Sequence, residues 1–378
     1  KMRYSVCTVA SKARLVTRIG TLSITAVLVT LMRPVANPPN PWSSSQTELL
    51  GVAPAADLRV YEEQAKSIVA ENQSPDIPFR WSVNPYRGCF HGCAYCYARP
   101  THQYLGFGAG TDFERNLIVK VNAPQLLRAK LMRPSWRGEN VVFSGVTDCY
   151  QPLEASYELT RQCLEVCLEF RQPVGIITKG ALVERDIDLL AKLAEHHAAT
   201  VFVSMPFADA EDSRAIEPFV ALPERRLRAM RRLADAGVPV GVSVSPLIPG
   251  LNDHQVPAIL EAARDAGATQ AFHVLLRLPS EVEQVFRERL ETAFPLRAAK
   301  VMSLVKAMRG GRSNDARFGS RMRGEGPRYQ LMADLFANTA KKLGMTAPLP
   351  ERVPSPFRRP NQEQWLFGER EQSGGGDA

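Results

Sequence analysis

The chain has 378 residues, 45% of them hydrophobic and 23% charged, a balance that suits a globular protein of one large domain or two ordinary ones. That composition excludes a wholly disordered, collagenous or multi-span membrane protein, and seven unevenly placed cysteines exclude a secreted disulfide scaffold. The formal charge of +8 sits at two ends: residues 1–50 carry six basic groups against Glu48, residues 297–329 carry nine against Asp315 and Glu325, and the stretch between them is net negative.

Taken in chain order, residues 1–50 predict a leader or disordered extension. Their apolar run TLSITAVLVTLM (21–32) is too short to cross a bilayer. It has the length of a signal h-region or a buried helix, but the RPVANPPNP that follows contains no Ala-x-Ala cleavage site. No membrane segment is expected, and the location expected is the cytoplasm. Residues 51–78 predict a helical lead-in, centred on 58–71.

From 79 to 285, β-rich runs at 80–86, 140–147, 173–179, 200–206, 238–246 and 270–278 alternate with amphipathic stretches at 123–132, 154–170, 184–197, 223–236 and 254–266. Beyond 280 the pattern turns helical (280–292, 296–309, 327–343). This predicts a C-terminal cap over 286–345, broken by an Arg/Gly-rich loop at 309–328. Residues 346–378, rich in Pro, Arg and Gly, predict a disordered tail.

Strands that are apolar at nearly every position, each followed by a helix, predict an α/β fold with a parallel sheet under a layer of helices. Repeated right-handed crossovers curl such a sheet into a full or partial barrel. Chemistry then gathers at the C-terminal strand ends, where the polar residues are Arg87, Thr147, Asp148, Lys179, Ser204, Ser243 and Ser245.

The sharpest signal is NPYRGCFHGCAYCYARP, in which Cys89, Cys93 and Cys96 stand as C-x3-C-x2-C in one loop. Thiolates suit iron–sulfur clusters or zinc. Three of them leave one metal position open, as a catalytic centre requires. The competing reading is a Cys3His zinc site closed by His91 or His102.

This spacing, with Tyr95 before the last cysteine, resembles the cluster motif of the radical S-adenosylmethionine (SAM) superfamily. The resemblance implies a six-stranded partial (β/α)6 TIM-like barrel with a helical C-terminal extension. It also implies a [4Fe–4S] cluster on Cys89, Cys93 and Cys96, with SAM chelating the fourth iron. Reductive cleavage of SAM would give a 5′-deoxyadenosyl radical that abstracts hydrogen from a substrate, with the electron coming from a donor of the flavodoxin or ferredoxin class. The segments TDCYQPLE (147–154), ITKG (177–180), PLIPGLND (246–253) and RFGSRMRGEGP (317–327) are closer still to the DNA-repair-photolyase-like branch, which includes spore photoproduct lyase.

By that resemblance Thr147 and Asp148 hold the amino group of the bound methionine and Lys179 its carboxylate. Ser204 contacts the ribose, Tyr95 packs near the adenine, and Ser243 and Ser245 form the adenine-side wall. Read plainly, Asp148 is a cap for the helix near Leu153, with Glu154 sharing the cap, and Lys179 is a strand-end lysine. Spore photoproduct lyase carries its hydrogen-donating cysteine where this chain has Gly145, so Cys149 is the candidate substitute donor. Cys163 and Cys167, four apart on one helix, read as a second cluster or as buried thiols. The Arg-rich loop, with Arg321, Arg323 and Arg328, reads as an anion or nucleic-acid contact or as a structural clamp. A DNA lesion is thus one candidate substrate, and the alternative function is a metal-stabilised nucleic-acid-binding protein without radical chemistry.

Overall fold

A computed structural model describes residues 57–346 and 354–360. Ten strands occur in chain order: β1 (Arg59–Glu63), β2 (Val69–Glu71), β3 (Trp81–Val83), β4 (Tyr86–Arg87), β5 (Asn116–Lys120), β6 (Val141–Phe143), β7 (Val174–Thr178), β8 (Ala199–Ser204), β9 (Val240–Leu247) and β10 (Gln270–Leu275). The large sheet runs β10-β9-β8-β7-β6-β3-β2, and its strands β3, β6, β7, β8, β9 and β10 pair in parallel in that order, with β4 and β5 of the second sheet lying between β3 and β6 in sequence. Only β2 is antiparallel, on the outer side of β3. The chain is therefore a partial (β/α)6 barrel with a helical C-terminal extension.

The strands are buried along most of their length because both faces are covered. Val141, Phe143, Val174, Ile176 and Val201 belong to one core with Leu127, Cys163, Leu190 and Met230 from the helices Ala123–Leu131, Leu159–Glu169, Ile187–Glu195 and Pro223–Asp235. Each leucine- or phenylalanine-sized side chain removed from water there stabilises the fold by about 2 kcal/mol.

Two expectations need correction. The lead-in predicted as helix forms strands β1 and β2. RVYEE pairs in parallel register with NLIVK of β5, from Arg59 opposite Asn116 to Glu63 opposite Lys120, and this pairing overrides local propensity. Together with β4 these strands make a second, three-stranded sheet that carries the cysteine loop. Within the tail expected to be disordered, residues 354–360 pack on the barrel. The Phe357 ring stacks on Phe170 with 6.1 Å between centroids, and the Arg358 amide donates to the Phe170 carbonyl at 2.9 Å. The leader predicted for 1–50 lies outside the described residues. Among the described residues, no helix is long and apolar enough to cross a membrane.

The open edge of the barrel is closed by side chains. Arg321 forms a salt bridge with Asp76 at 2.6 Å and donates to Ser74 Oγ, and the Gly319 amide donates to Asp76 Oδ1 at 2.6 Å. The segment between the helices Pro295–Ala307 and Pro327–Lys342 is thus joined to the segment before β3.

Candidate active site

The cysteine loop leaves β4 and turns at two residues with left-handed backbone, Gly88 (φ 73°) and Gly92 (φ 66°). A Cβ on Gly88 would come within 2.9 Å of the Phe113 carbonyl and of His102, so only glycine fits. Arg99, fully buried, gathers the loop's carbonyls. It donates to Cys93 O at 2.9 Å and Gly92 O at 3.1 Å, to Ala109 and Gly110, and to Glu114 at 2.5 Å. The Cys89 amide donates to Phe113 O at 2.9 Å, and the Ala94 amide to Ile216 O at 3.1 Å.

All three cysteines are free; Cys89 and Cys93 are buried and Cys96 is half-buried. Burial pushes the Cys93 and Cys96 thiols up, while Lys179 pulls both back. Three soft donors of this kind in one loop fit an iron–sulfur cluster, whose positive iron would hold them as thiolates. A single zinc ion needs four ligands within about 2.3 Å. His91 is held by Asp148 (Nδ1 to Oδ2, 3.4 Å), and His102 Nε2 lies 2.7 Å from the Asn116 carbonyl. His91 also meets the Cys89 side chain, so the histidine nearest the cysteines has two partners.

The ends of β6, β7, β8 and β9 face this loop. Asp148 does not cap the helix near Leu153. Its Oδ1 accepts from the Thr178 hydroxyl at 2.6 Å and the Tyr150 amide at 2.9 Å, and its Oδ2 from the Lys179 amide at 2.7 Å. Burial opposes its charge, but His91 and these donors bring its pKa down to about 2. Thr147 donates to the Gly88 carbonyl at 2.5 Å and accepts from Gln151 at 3.2 Å, tying the end of β6 to the cysteine loop. Glu154 caps the next helix instead, accepting from the Thr160 and Arg161 amides at 2.9 and 3.2 Å.

Lys179 places a cation at the mouth. Its Nζ lies 5.7 Å from the Tyr95 ring centroid and makes no salt bridge among the described residues. Tyr95 is buried, and its hydroxyl donates to Glu217, which is paired with the fully buried Arg226. Arg226 donates in turn to the Ser204 carbonyl at 2.9 Å. Ser204 lies opposite Ser243 in the β8–β9 register, and the buried Ser245 Oγ has no hydrogen-bond partner.

One sequence-based expectation is not met here, that of Cys149, whereas the buried-thiol reading of Cys163 and Cys167 is. Cys149 is fully buried in the main hydrophobic core, its carbonyl accepting from Thr160 at 2.8 Å, and it is a core residue rather than a donor at the mouth. Cys163 and Cys167 lie in that same core. Arg321 is engaged by Asp76, whereas Arg323 and Arg328 are exposed and free of salt bridges among the described residues. Sequence reasoning missed Glu217 and Arg226, which no motif marks. It also missed Arg99 and Tyr97, although both lie inside the cysteine motif.

The radical SAM superfamily model matches residues 83–263. An uncharacterized protein of Methanocaldococcus jannaschii, MJ0683, is 31% identical over 196 residues, 52% of this chain and 70% of that protein. The uncharacterized Mycobacterium tuberculosis protein Rv2578c is 40% identical over 223 residues, 57% of this chain, and the match spans 65% of that relative's length. Among solved structures, spore photoproduct lyase complexed with dinucleoside spore photoproduct superposes with a TM-score of 0.55 at 14% identity. That match covers 75% of this chain and 79% of the lyase, and it is a likeness of fold. With the family match lying over the strands and the cysteine loop that build the mouth, the chain belongs to the radical SAM superfamily.

Proposed function

We propose that this chain is a radical SAM enzyme. The observation that carries the reading is the convergence of two things at one end of a parallel barrel: a loop of three free cysteines and a lysine that makes no salt bridge among the described residues. When bound, a [4Fe–4S] cluster and SAM supply a one-electron cleavage of the sulfonium and hence a 5′-deoxyadenosyl radical.

The chain's own residues have separable tasks. Cys89, Cys93 and Cys96 hold iron. Lys179 takes the methionine carboxylate by a charge-assisted bond. Asp148 and Thr147, already committed to protein donors and acceptors, are positioning residues that fix the ends of β6 and β7. The unpartnered Ser245 hydroxyl, with Ser204 and Ser243, offers polar atoms on the far wall, and Tyr95 closes the floor. The electron comes from a donor of the flavodoxin or ferredoxin class. Free cysteines suit the reducing cytoplasm.

For the substrate we infer a nucleic-acid component. Two exposed arginines support it, Arg323 in the segment after the helix Pro295–Ala307 and Arg328 in the first turn of the helix Pro327–Lys342, as does the dinucleoside bound by the lyase of similar fold. The test of the enzyme reading is anaerobic reconstitution with iron and sulfide, reduction with dithionite, and chromatography for 5′-deoxyadenosine and methionine. Formation of both is expected. A fully loaded cluster that yields neither product overturns the reading.

A further inference from the structure

Arg277 follows β10 at the mouth, and the backbone around it is fully committed. Arg309 donates to the carbonyls of Leu275 at 3.0 Å and Leu276 at 2.8 Å, and the Leu276 amide reaches Leu247 O at 2.9 Å. The Arg277 side chain is different. It is half-buried and makes no hydrogen bond or salt bridge among the described residues, and its guanidinium lies 5.1 Å from the Tyr97 ring centroid.

Neighbouring arginines are accounted for: Arg309 by carbonyls, Arg321 by Asp76 and Arg317 by Asp315. Burial pushes the pKa of Arg277 down and Arg321 repels it further, while Tyr97 and Asp76, the latter already bridged to Arg321, only partly offset this. A guanidinium partly out of water and without a carboxylate is unfavourable until an anion reaches it. Lying over an aromatic ring, it keeps N–H groups for a bidentate acceptor.

The placement says which anion. Tyr97 follows Cys96 directly, and its hydroxyl donates to the Gly145 carbonyl after β6 at 2.5 Å. The ring thus bridges the mouth from the loop after β6 to Arg277. Lys179, by contrast, lies over Tyr95 and acts on Cys93 and Cys96. The mouth therefore holds two separate unpaired cations, and one of them suffices for the methionine carboxylate.

We propose that Arg277 anchors the substrate itself, gripping a phosphate or carboxylate group and holding it against Tyr97 beside the iron-binding loop. This rests on the radical SAM reading. The test is calorimetric titration of the reconstituted, SAM-loaded protein with inorganic phosphate and pyrophosphate, a measurement that needs no turnover. Arg277→Gln is expected to weaken both anions at least tenfold, and Arg277→Lys to restore part of the affinity. Lys300→Gln, an exposed charge elsewhere, is expected to leave it unchanged. Equal anion affinity in Arg277→Gln and the parent overturns the proposal. So does a loss of SAM affinity with anion binding intact, which would give this guanidinium to the cofactor's carboxylate. Absence of 5′-deoxyadenosine from the parent protein would instead strike the enzyme reading alone.

Discussion

The backbone N–H of Lys179 donates to Asp148 Oδ2 at 2.7 Å, locking the end of β7 to the loop after β6. The carboxylate spans two strands and fixes where the Lys179 side chain begins. Its pKa, brought down to about 2 by His91 and its other donors against the effect of burial, makes the lock depend on pH. A folded-state pKa below the ordinary value near 3.8 contributes stability that is fully present above pH 4 and lost as pH falls toward 2. The amount is about 2 kcal/mol. Asp148→Asn is expected to lower stability at pH 7 by about that much, with the difference from the parent vanishing near pH 2. Urea unfolding at a series of pH values measures it.

Lys179→Met should leave iron and sulfide content unchanged while weakening SAM binding by about tenfold or more, the loss of one charge-assisted bond. The readout is a rise in KM for 5′-deoxyadenosine formation that exceeds any fall in kcat. A cluster that no longer assembles in this variant would place Lys179 among the groups that hold the loop.

Cysteine substitutions separate iron ligands from core thiols. Cys89→Ala, Cys93→Ala and Cys96→Ala should each abolish the visible absorption of the reconstituted cluster. Cys149→Ala should keep it and lower stability by about 1–2 kcal/mol, because a buried sulfur is lost from a packed core. Iron analysis and thermal unfolding on the same preparations give both numbers.

Arg226 and Glu217 form a fully buried pair. Removing one partner strands the other charge in the core, so Arg226→Met is expected to destabilise the fold by about 3–5 kcal/mol. Tyr95→Phe removes one neutral donor to Glu217 and should cost about 1 kcal/mol. Equal effects from the two would show that the ion pair is not what holds the floor of the mouth.

Lys120 is buried on β5, donates to the Asn84 carbonyl at 3.0 Å, and has its pKa lowered to about 8 by burial, with Arg87 adding to the effect. For a base whose folded pKa lies below the ordinary 10.5, the penalty is full below pH 8 and relieved as pH rises toward 10.5. Lys120→Met should therefore raise the melting temperature at pH 7, and the gain should shrink above pH 8. A melting curve at each pH decides it.

What the sequence determined by itself was whatever depends on near neighbours. Six apolar runs each followed by an amphipathic helix specify a parallel barrel, because strand and helix periodicities are local. The C-x3-C-x2-C loop is legible because three ligands and their glycine turns lie within nine residues, from Gly88 to Cys96. Tertiary structure decided what depends on partners far along the chain. Tyr95 meets Glu217 across 122 positions, and Arg321 meets Ser74 across 247. No motif records such pairings, so the sequence left Arg321 between an anion contact and a structural clamp, and its pairing with Asp76 makes it the clamp. Cys149 stands one residue from Asp148, yet its side chain enters the core while the carboxylate reaches β7. Which way a strand-end side chain turns is settled by packing and by the search of buried polar groups for partners, and both exist only once the chain has folded.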